Sequence, residues 1–284
     1  MTHTQTDLYE YFGADKQPNV EGLLTSYIRT PIDEVKPKIR PAIVVIPGGG
    51  CVMRSKRESE PVALRFLSDG YAVFVLDYTV SVAHPTPLAE ACMAVAYIRE
   101  NASSLGVDGE HIAVIGFSAG GHIAASLATL YNSPEVHDAL GKHSKNARPD
   151  AVILSYPVIS MSDGITHDGT RSVITGGDKS VAERLSLENR VTAESVPAFI
   201  WHTAEDDAVS VENSLLMADA YRKAKVPFSL HIFEKGRHGL SLCDIETNID
   251  DDGEKMFGAV GAWTSLALKW LFDRGFVVKS VDRR

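Results

Sequence analysis

Residues His111 to Ala125 read H-I-A-V-I-G-F-S-A-G-G-H-I-A-A, and the way this run must be threaded decides the fold. Ile112 to Ile115 is a short apolar, β-branched stretch of the kind that forms a buried strand. It ends at Gly116-Phe117-Ser118-Ala119-Gly120 and passes directly into an alanine-rich helical segment. G-x-S-x-G between a strand and a helix is a sharp turn that strains the backbone at the serine and holds its hydroxyl out of the sheet. The two glycines let strand and helix approach without a Cβ clash. A helix that begins beside Ser118 also points the N–H of Ala119 at any oxyanion formed there. The competing reading, a Gly/Ser-rich turn that fits by accident, is disfavoured by the strand before it and the helix after it.

Upstream, Ala42 to Ile46 is a second fully apolar run, followed by Pro47-Gly48-Gly49-Gly50. Successive glycines cost conformational entropy on folding, so three together need a reason. A loop whose bare N–H groups converge on a developing negative charge is one such reason. A flexible turn is the plainer one. A phosphate loop is excluded, because G-G-G-C-V-M-R-S-K lacks the G-x-x-x-x-G-K-[ST] spacing. Tyr71 to Tyr78 and Asp150 to Tyr156 are further buried strands, and helices are expected at Val62 to Ser68 and Pro87 to Asn101. The pattern resumes with a strand at Val196 to Trp201, a helix from Val211 to Ala224, a strand from Pro227 to Phe233 and a helix near Met256 to Phe272. Such alternation predicts an α/β fold with a mostly parallel central sheet and helices on both faces, in a single domain.

Three segments stand outside that alternation. Residues 1–22 are polar with a few aromatic rings and read as an arm lying over the body or over a neighbouring subunit, the one hint of a homo-oligomer. Leu23 to Arg29 is expected to be an edge strand. Residues 157–195 are polar and Gly/Ser-rich; a loop this long in a compact domain is usually functional, so a small cap over the site is expected. A disordered surface insertion is the alternative.

Composition narrows the partners. The 284 residues carry a formal net charge of −9 and 44% hydrophobic residues, enough for a large core. The negative charge argues against nucleic acid and anionic membrane surfaces. Cys51, Cys92 and Cys243 are widely spaced and odd in number, so neither a disulfide framework nor a zinc site is indicated. No basic-then-apolar leader pattern opens the chain, and no run reaches the roughly 18 apolar residues of a membrane span. A cytoplasmic setting is expected.

A serine hydroxyl needs a base to take its proton, and that base needs an anion to fix its tautomer. The last two strands end in the residues required: His202-Thr203-Ala204-Glu205-Asp206-Asp207 and Glu234-Lys235-Gly236-Arg237-His238-Gly239. In an open parallel sheet the chemistry lies beyond the C-terminal strand ends, where Ser118, these acids and His238 all fall. His238 is the favoured base; His122, His202 and His231 are read as packing or hydrogen-bonding histidines. Spacing alone leaves Glu205, Asp206 and Asp207 open. A nucleophilic Cys51 or Cys243 is disfavoured because neither sits on a strand-to-helix elbow.

The runs P-G-G-G, G-F-S-A-G-G-H, W-H-T-A-E-D-D-A-V-S-V-E-N-S and F-E-K-G-R-H-G-L together resemble the α/β-hydrolase superfamily. Within it the likeness is to the bacterial acetyl esterase and carboxylesterase group, acetylxylan and feruloyl esterase-like and related to hormone-sensitive-lipase-type esterases. The likeness covers roughly residues 24 to 272. In related hydrolases the acid falls four residues after the histidine of H-G-x-x-D-x-x-V-P, which here selects Asp206; Thr203 and Ser210 depart from that pattern. Proline replaces the histidine of H-G-G-G, and the oxyanion donors carry over to Gly49 and Gly50, joined by Ala119. Cys51 stands where relatives often carry an aromatic residue, which could widen the acyl or alcohol pocket. The resemblance implies two-step transfer of a short acyl group, acetyl above all, from an ester of a sugar or other small alcohol to water. Ser118 would be the nucleophile, His238 the base and Asp206 its orienting anion, with no metal or organic cofactor needed. The alternatives are a serine peptidase acting on short peptides and a non-catalytic scaffold that binds a ligand.

Overall fold

The computed structural model describes residues 1–249 and 258–281. Eight strands run in the order β1-β2-β4-β3-β5-β6-β7-β8: β1 Thr2–Asp7, β2 Leu23–Ile28, β3 Lys38–Ile46, β4 Ala72–Asp77, β5 Val107–Phe117, β6 Ala151–Ser155, β7 Ala198–Thr203 and β8 Phe228–Phe233. From β4 to β8 every neighbouring pair is parallel, while β1 and β2 join antiparallel. A two-residue strand β9, Lys279–Ser280, pairs with the start of β3.

The side-chain period of two builds two cores. Val44 and Ile46 face one side with Val114, Val152 and Ile200, under helices α3 Thr86–Glu100, α5 Ala119–Leu130 and α9 Glu212–Ala224, with the short helices α4 Ala102–Leu105 and α6 Pro134–Leu140 against α3. Ile43 and Val45 face the other with Ala113, Ile115 and Phe199, under α2 Glu60–Ser68 and α10 Trp263–Phe272. Both faces are covered, which is why the central strands are apolar throughout. The last helix was expected near Met256 to Phe272; Met256 and Phe257 lie outside the described residues, and a 3₁₀ turn at Val260–Ala262 precedes the helix proper. Among the described residues no helix is long and apolar enough to cross a membrane.

The N-terminus corrects two expectations. Residues 1–22, expected as an arm over the body or a neighbouring subunit, are built into the fold itself: Thr2–Asp7 forms the outermost strand of the sheet and Leu8–Phe12 a short helix, α1, capped by the Asp7 side chain. Leu23–Ile28 is therefore the second strand and not the edge. The physical reason is visible in T-H-T-Q-T-D, where threonine, a β-branched residue, recurs at every second position. An outermost strand needs no apolar face, so the apolar signature of a buried strand is missing. Leu8 is fully buried, and the Tyr9 hydroxyl donates to the buried Glu90 at 3.1 Å, pinning the segment to α3.

Residues 157–195 are built from two short helices, α7 Asp168–Thr175 and α8 Lys179–Leu185, and a 3₁₀ turn at Leu187–Asn189. Val158, Met161, Ile174 and Leu185 pack with Cys51, Ala119 and Val209 into a third apolar cluster beside the start of α5.

At the junction of β5 and α5 the backbone is strained and closely packed. Ser118 sits at φ 53°, ψ −116°, a conformation that costs a non-glycine residue roughly 1–3 kcal/mol. A Cβ on Gly116 would lie 2.7 Å from the Ala124 Cβ, and one on Gly120 would collide with the carbonyls of Ile46 and Pro47. Helix α5 can approach β5 and the end of β3 this closely only because those two positions are bare. Gly120→Ala is therefore expected to destabilise the fold by about 1–3 kcal/mol or more through overpacking, read as a lowered urea midpoint at unchanged slope; an unchanged midpoint would refute the close approach.

Candidate active site

Ser118 follows β5, Asp206 follows β7 and His238 follows β8, so parallel strands deliver all three to the same edge of the sheet. Ser118 Oγ lies 2.8 Å from His238 Nε2, and His238 Nδ1 lies 2.7 Å from Asp206 Oδ2. A carboxylate can only accept, so the proton sits on Nδ1 and leaves Nε2 to accept the serine O–H. An imidazole held in this tautomer can take a hydroxyl proton and return it.

Asp206 is fixed by four donors. Oδ1 accepts the N–H groups of Ala208 at 3.0 Å and Val209 at 2.8 Å. Oδ2 accepts from His238 and faces His202 Nε2 at 3.2 Å. His202, fully buried, has that nitrogen between Oδ2 and the Val209 carbonyl at 3.0 Å, both acceptors, so Nε2 carries its proton; Nδ1 accepts the Ser214 hydroxyl at 2.8 Å. Burial alone would raise the Asp206 carboxyl, but the hydrogen bonds from His202 and His238, the charge of His238 and the Val209 N–H outweigh it and hold the group well below the usual carboxylate range. The neighbouring acids are elsewhere: Glu205 is exposed and takes Lys235 at 3.1 Å, and Asp207 is exposed. His202, read from sequence as merely structural, is thus the second support of the acid. Its spacing of four residues before Asp206 was the available signal.

Among the three glycines after β3, Gly48 is already engaged, its N–H donating to Glu58 Oε2 at 2.8 Å. Gly49 and Gly50 follow it in the same loop, and Ala119 opens the first turn of α5, where its N–H has no intrahelical acceptor. Ser118 N–H is occupied by the Ser155 carbonyl at 3.0 Å. The cap-like segment reaches this corner through His167, which would stand 3.9 Å from a Cβ on Gly50. Its Nδ1 accepts the Thr170 N–H at 3.1 Å, and burial, then the nearby His238, lower its basicity.

The other candidates are inert. Cys51 and Cys243 are buried and their thiols are pushed up to about 12 by burial, so neither supplies a thiolate. Cys51 is buried in the apolar cluster that includes Ala119. His122, buried, gives its Nδ1 to the Val158 carbonyl at 3.2 Å and is lowered to about 3 by burial. His231 stacks on Phe199. A cavity of about 730 Å³ lies between α7 and α8, with Asp163, Arg171 and Lys179 among its lining residues, and Ser118 is not one of them.

A family model described as BD-FAE matches residues 28–221, which spans the glycine loop, the serine elbow and Asp206. The chain belongs to the BD-FAE family. Endo-1,4-beta-xylanase B of Butyrivibrio fibrisolvens is 40% identical over 227 residues, 75% of this chain and 34% of that protein. The acetyl ester-xyloside bifunctional hydrolase of Caldicellulosiruptor lactoaceticus is 38% identical with a TM-score of 0.76, covering 90% of this chain and 89% of that one. The carboxylesterase Cest-2923 of Lactobacillus plantarum is 28% identical with a TM-score of 0.84 over 98% and 99%. The chain spans about a third to a half of the length of the curated relatives it matches. For this BD-FAE member the likeness to esterase structures establishes the α/β-hydrolase fold that the strand order describes.

The donors around Asp206 make a stability prediction. Its folded carboxyl value lies below the unfolded one, near 3.9, so the stabilisation is full above that pH and is lost as pH falls toward the folded value. The stability gap between wild type and Asp206→Asn should narrow by about 1 kcal/mol between pH 6 and pH 3. Chemical denaturation at both pH values measures it; an unchanged gap would mean the carboxylate is not held ionised.

Proposed function

We propose that the protein is a serine carboxylesterase that hydrolyses short-chain acyl esters, acetyl esters above all, of sugars or other small alcohols. The observation that carries this reading is the pair of contacts at 2.8 Å and 2.7 Å linking Ser118, His238 and Asp206. Ser118 Oγ attacks the ester carbonyl while His238 Nε2 takes its proton, and Asp206 stabilises the imidazolium. The N–H groups of Gly49, Gly50 and Ala119 hold the oxyanion. The tetrahedral adduct collapses to an acyl-Ser118 ester as His238 protonates the leaving alcohol. Water, deprotonated by His238, then releases the carboxylic acid and restores the serine. The chain's own groups suffice for each proton transfer.

The acetyl preference is supported by the cluster of Cys51, Ala119, Val158, Met161, Ile174, Leu185 and Val209, each at most 4% exposed, which packs against the elbow at Ala119. It is supported also by the name of the acetyl ester-xyloside hydrolase to which the chain is similar. Residues 157–195 serve in this reading as a cap that brings His167 beside the glycine loop. Three free, buried cysteines fit a cytoplasmic setting, and the partner is a small-molecule ester.

Ser118→Ala should lose about 10⁶ in kcat on p-nitrophenyl acetate while keeping its fold, and a variant that retained a tenth of wild-type turnover would end the elbow assignment. Asp206→Asn should cost on the order of 10⁴ by misorienting His238, against little for Asp207→Asn; equal losses would place the acid elsewhere.

Across acetate, butyrate, octanoate and palmitate esters, kcat/KM is expected to peak at acetate to butyrate. A matching long pocket would instead gain about 0.8 kcal/mol per CH₂, so a maximum at octanoate or beyond would make the enzyme a lipase.

A further inference from the structure

One buried carboxylate joins the glycine loop to the loop that carries His238. Glu58 ends a single 3₁₀ turn, Lys56–Glu58, and is 3% exposed. Its Oε2 accepts the Gly48 N–H at 2.8 Å, and its Oε1 accepts the Tyr156 hydroxyl at 2.7 Å. The Tyr156 oxygen accepts in turn the N–H of Ser241 at 2.9 Å, three residues beyond His238. The Tyr156 ring meets the His238 imidazole edge-on, with centroids 5.1 Å apart. Ser241 is held on both sides: its hydroxyl donates to the Arg57 carbonyl at 2.7 Å and its own carbonyl accepts Trp263 Nε1 at 3.0 Å. Arg57, next in sequence to Glu58, donates to the Gly239 carbonyl at 3.0 Å.

This chain of contacts passes within one atom layer of the nucleophile. A Cβ built on Gly48 would lie 2.8 Å from Glu58 Oε2 and 3.1 Å from the Ser118 Cβ. A buried carboxylate is costly unless donors satisfy its oxygens, and here the donors come from two segments that must stay in register for acyl transfer. The chemistry of the site also fixes the residue type. Gly48 N–H can only donate, and the Tyr156 hydroxyl already receives one N–H, so both neighbours of Glu58 present protons to it. Only a carboxylate accepts both.

We propose that Glu58 is a positioning residue, which through Gly48 on one side and through Tyr156 and Ser241 on the other sets the oxyanion donors and His238 relative to one another. The inference rests on the ester-hydrolase reading of the site. Oxyanion donors act only within a narrow range of the developing charge, and a displacement of about 1 Å can cost on the order of 10²-fold in rate. In Glu58→Gln, one amide face must meet a donor with a donor. If its oxygen accepts Gly48, its NH₂ meets Tyr156 and strands the tyrosine proton; if it is flipped, its NH₂ opposes the Gly48 N–H. Tyr156→Phe cuts the same chain one link further on, leaving the Ser241 N–H without its acceptor.

The test compares wild type, Glu58→Gln, Tyr156→Phe, the double variant and Ser118→Ala on p-nitrophenyl acetate, with thermal melting of each. Glu58→Gln is expected to lose about 10- to 100-fold in kcat with KM within about threefold, since substrate binding in the ground state does not need the oxyanion geometry. Tyr156→Phe should fall in the same range, and the double variant should be little worse than either single, because all three break one chain. A variant that melts lower but keeps wild-type kcat per folded molecule would make the network structural and overturn the proposal. So would a change in KM with kcat held, or strictly multiplicative losses in the double variant. Should Glu58→Gln fail to fold, Tyr156→Phe alone decides on the same criteria. Ser118→Ala separates the two levels: if it stays active the hydrolase reading fails, whereas an inactive Ser118→Ala beside a fully active Glu58→Gln overturns the positioning role alone.

Discussion

The structure turns on the backbone at Ser118. Its φ of 53° is tolerated because strand β5 and helix α5 hold it from both sides; Gly116 lets the two approach, and Gly120 lets α5 lie against the carbonyls of Ile46 and Pro47 at the end of β3. The strain has a positional consequence: the hydroxyl stands clear of the sheet, at the N-terminus of a helix whose first N–H groups have no intrahelical acceptor. Everything else in the site is arranged around that fixed oxygen. Parallel strands β7 and β8 bring Asp206 and His238 to the same edge, and the loop after β3 brings its glycines.

Around this point the buried polar groups form two supports. On one side His202, Ser214 and the amides of Ala208 and Val209 hold Asp206 ionised in a site where burial alone would push its carboxyl upward. On the other, Glu58 and Tyr156 tie the glycine loop to the loop following His238. The stacked indoles of Trp201 and Trp263, 4.9 Å apart, fill the space beneath, and their N–H groups reach Ser155 and Ser241. Aromatic packing and hydrogen bonding thus serve the same residues.

How much of this is legible in the sequence depends on whether the deciding interaction is local. The elbow, the buried strands and the glycine loop follow from short patterns, because β-branched runs and bare glycines record their own surroundings. His238 is legible from its turn context. Asp206 is not separable from Glu205 and Asp207 by spacing, since what distinguishes it is which of three adjacent side chains turns inward to meet His202 and His238. Thr2–Asp7 reads as an arm because an outermost strand carries no apolar face. Glu58 is hidden most completely: K-R-E-S-E-P looks like a charged surface turn, and only the folded chain shows one of its acids buried against Gly48 and Tyr156.

The central claim is that Ser118 is the activated nucleophile, and locating a covalent adduct tests it most directly. The protein would be treated with an alkyl fluorophosphonate, digested and sequenced by tandem mass spectrometry. The account predicts a single phosphonyl group, on Ser118, formed rapidly in wild type and scarcely at all in His238→Ala. An adduct on another residue, or labelling of Ser118 at the same rate without His238, would contradict it.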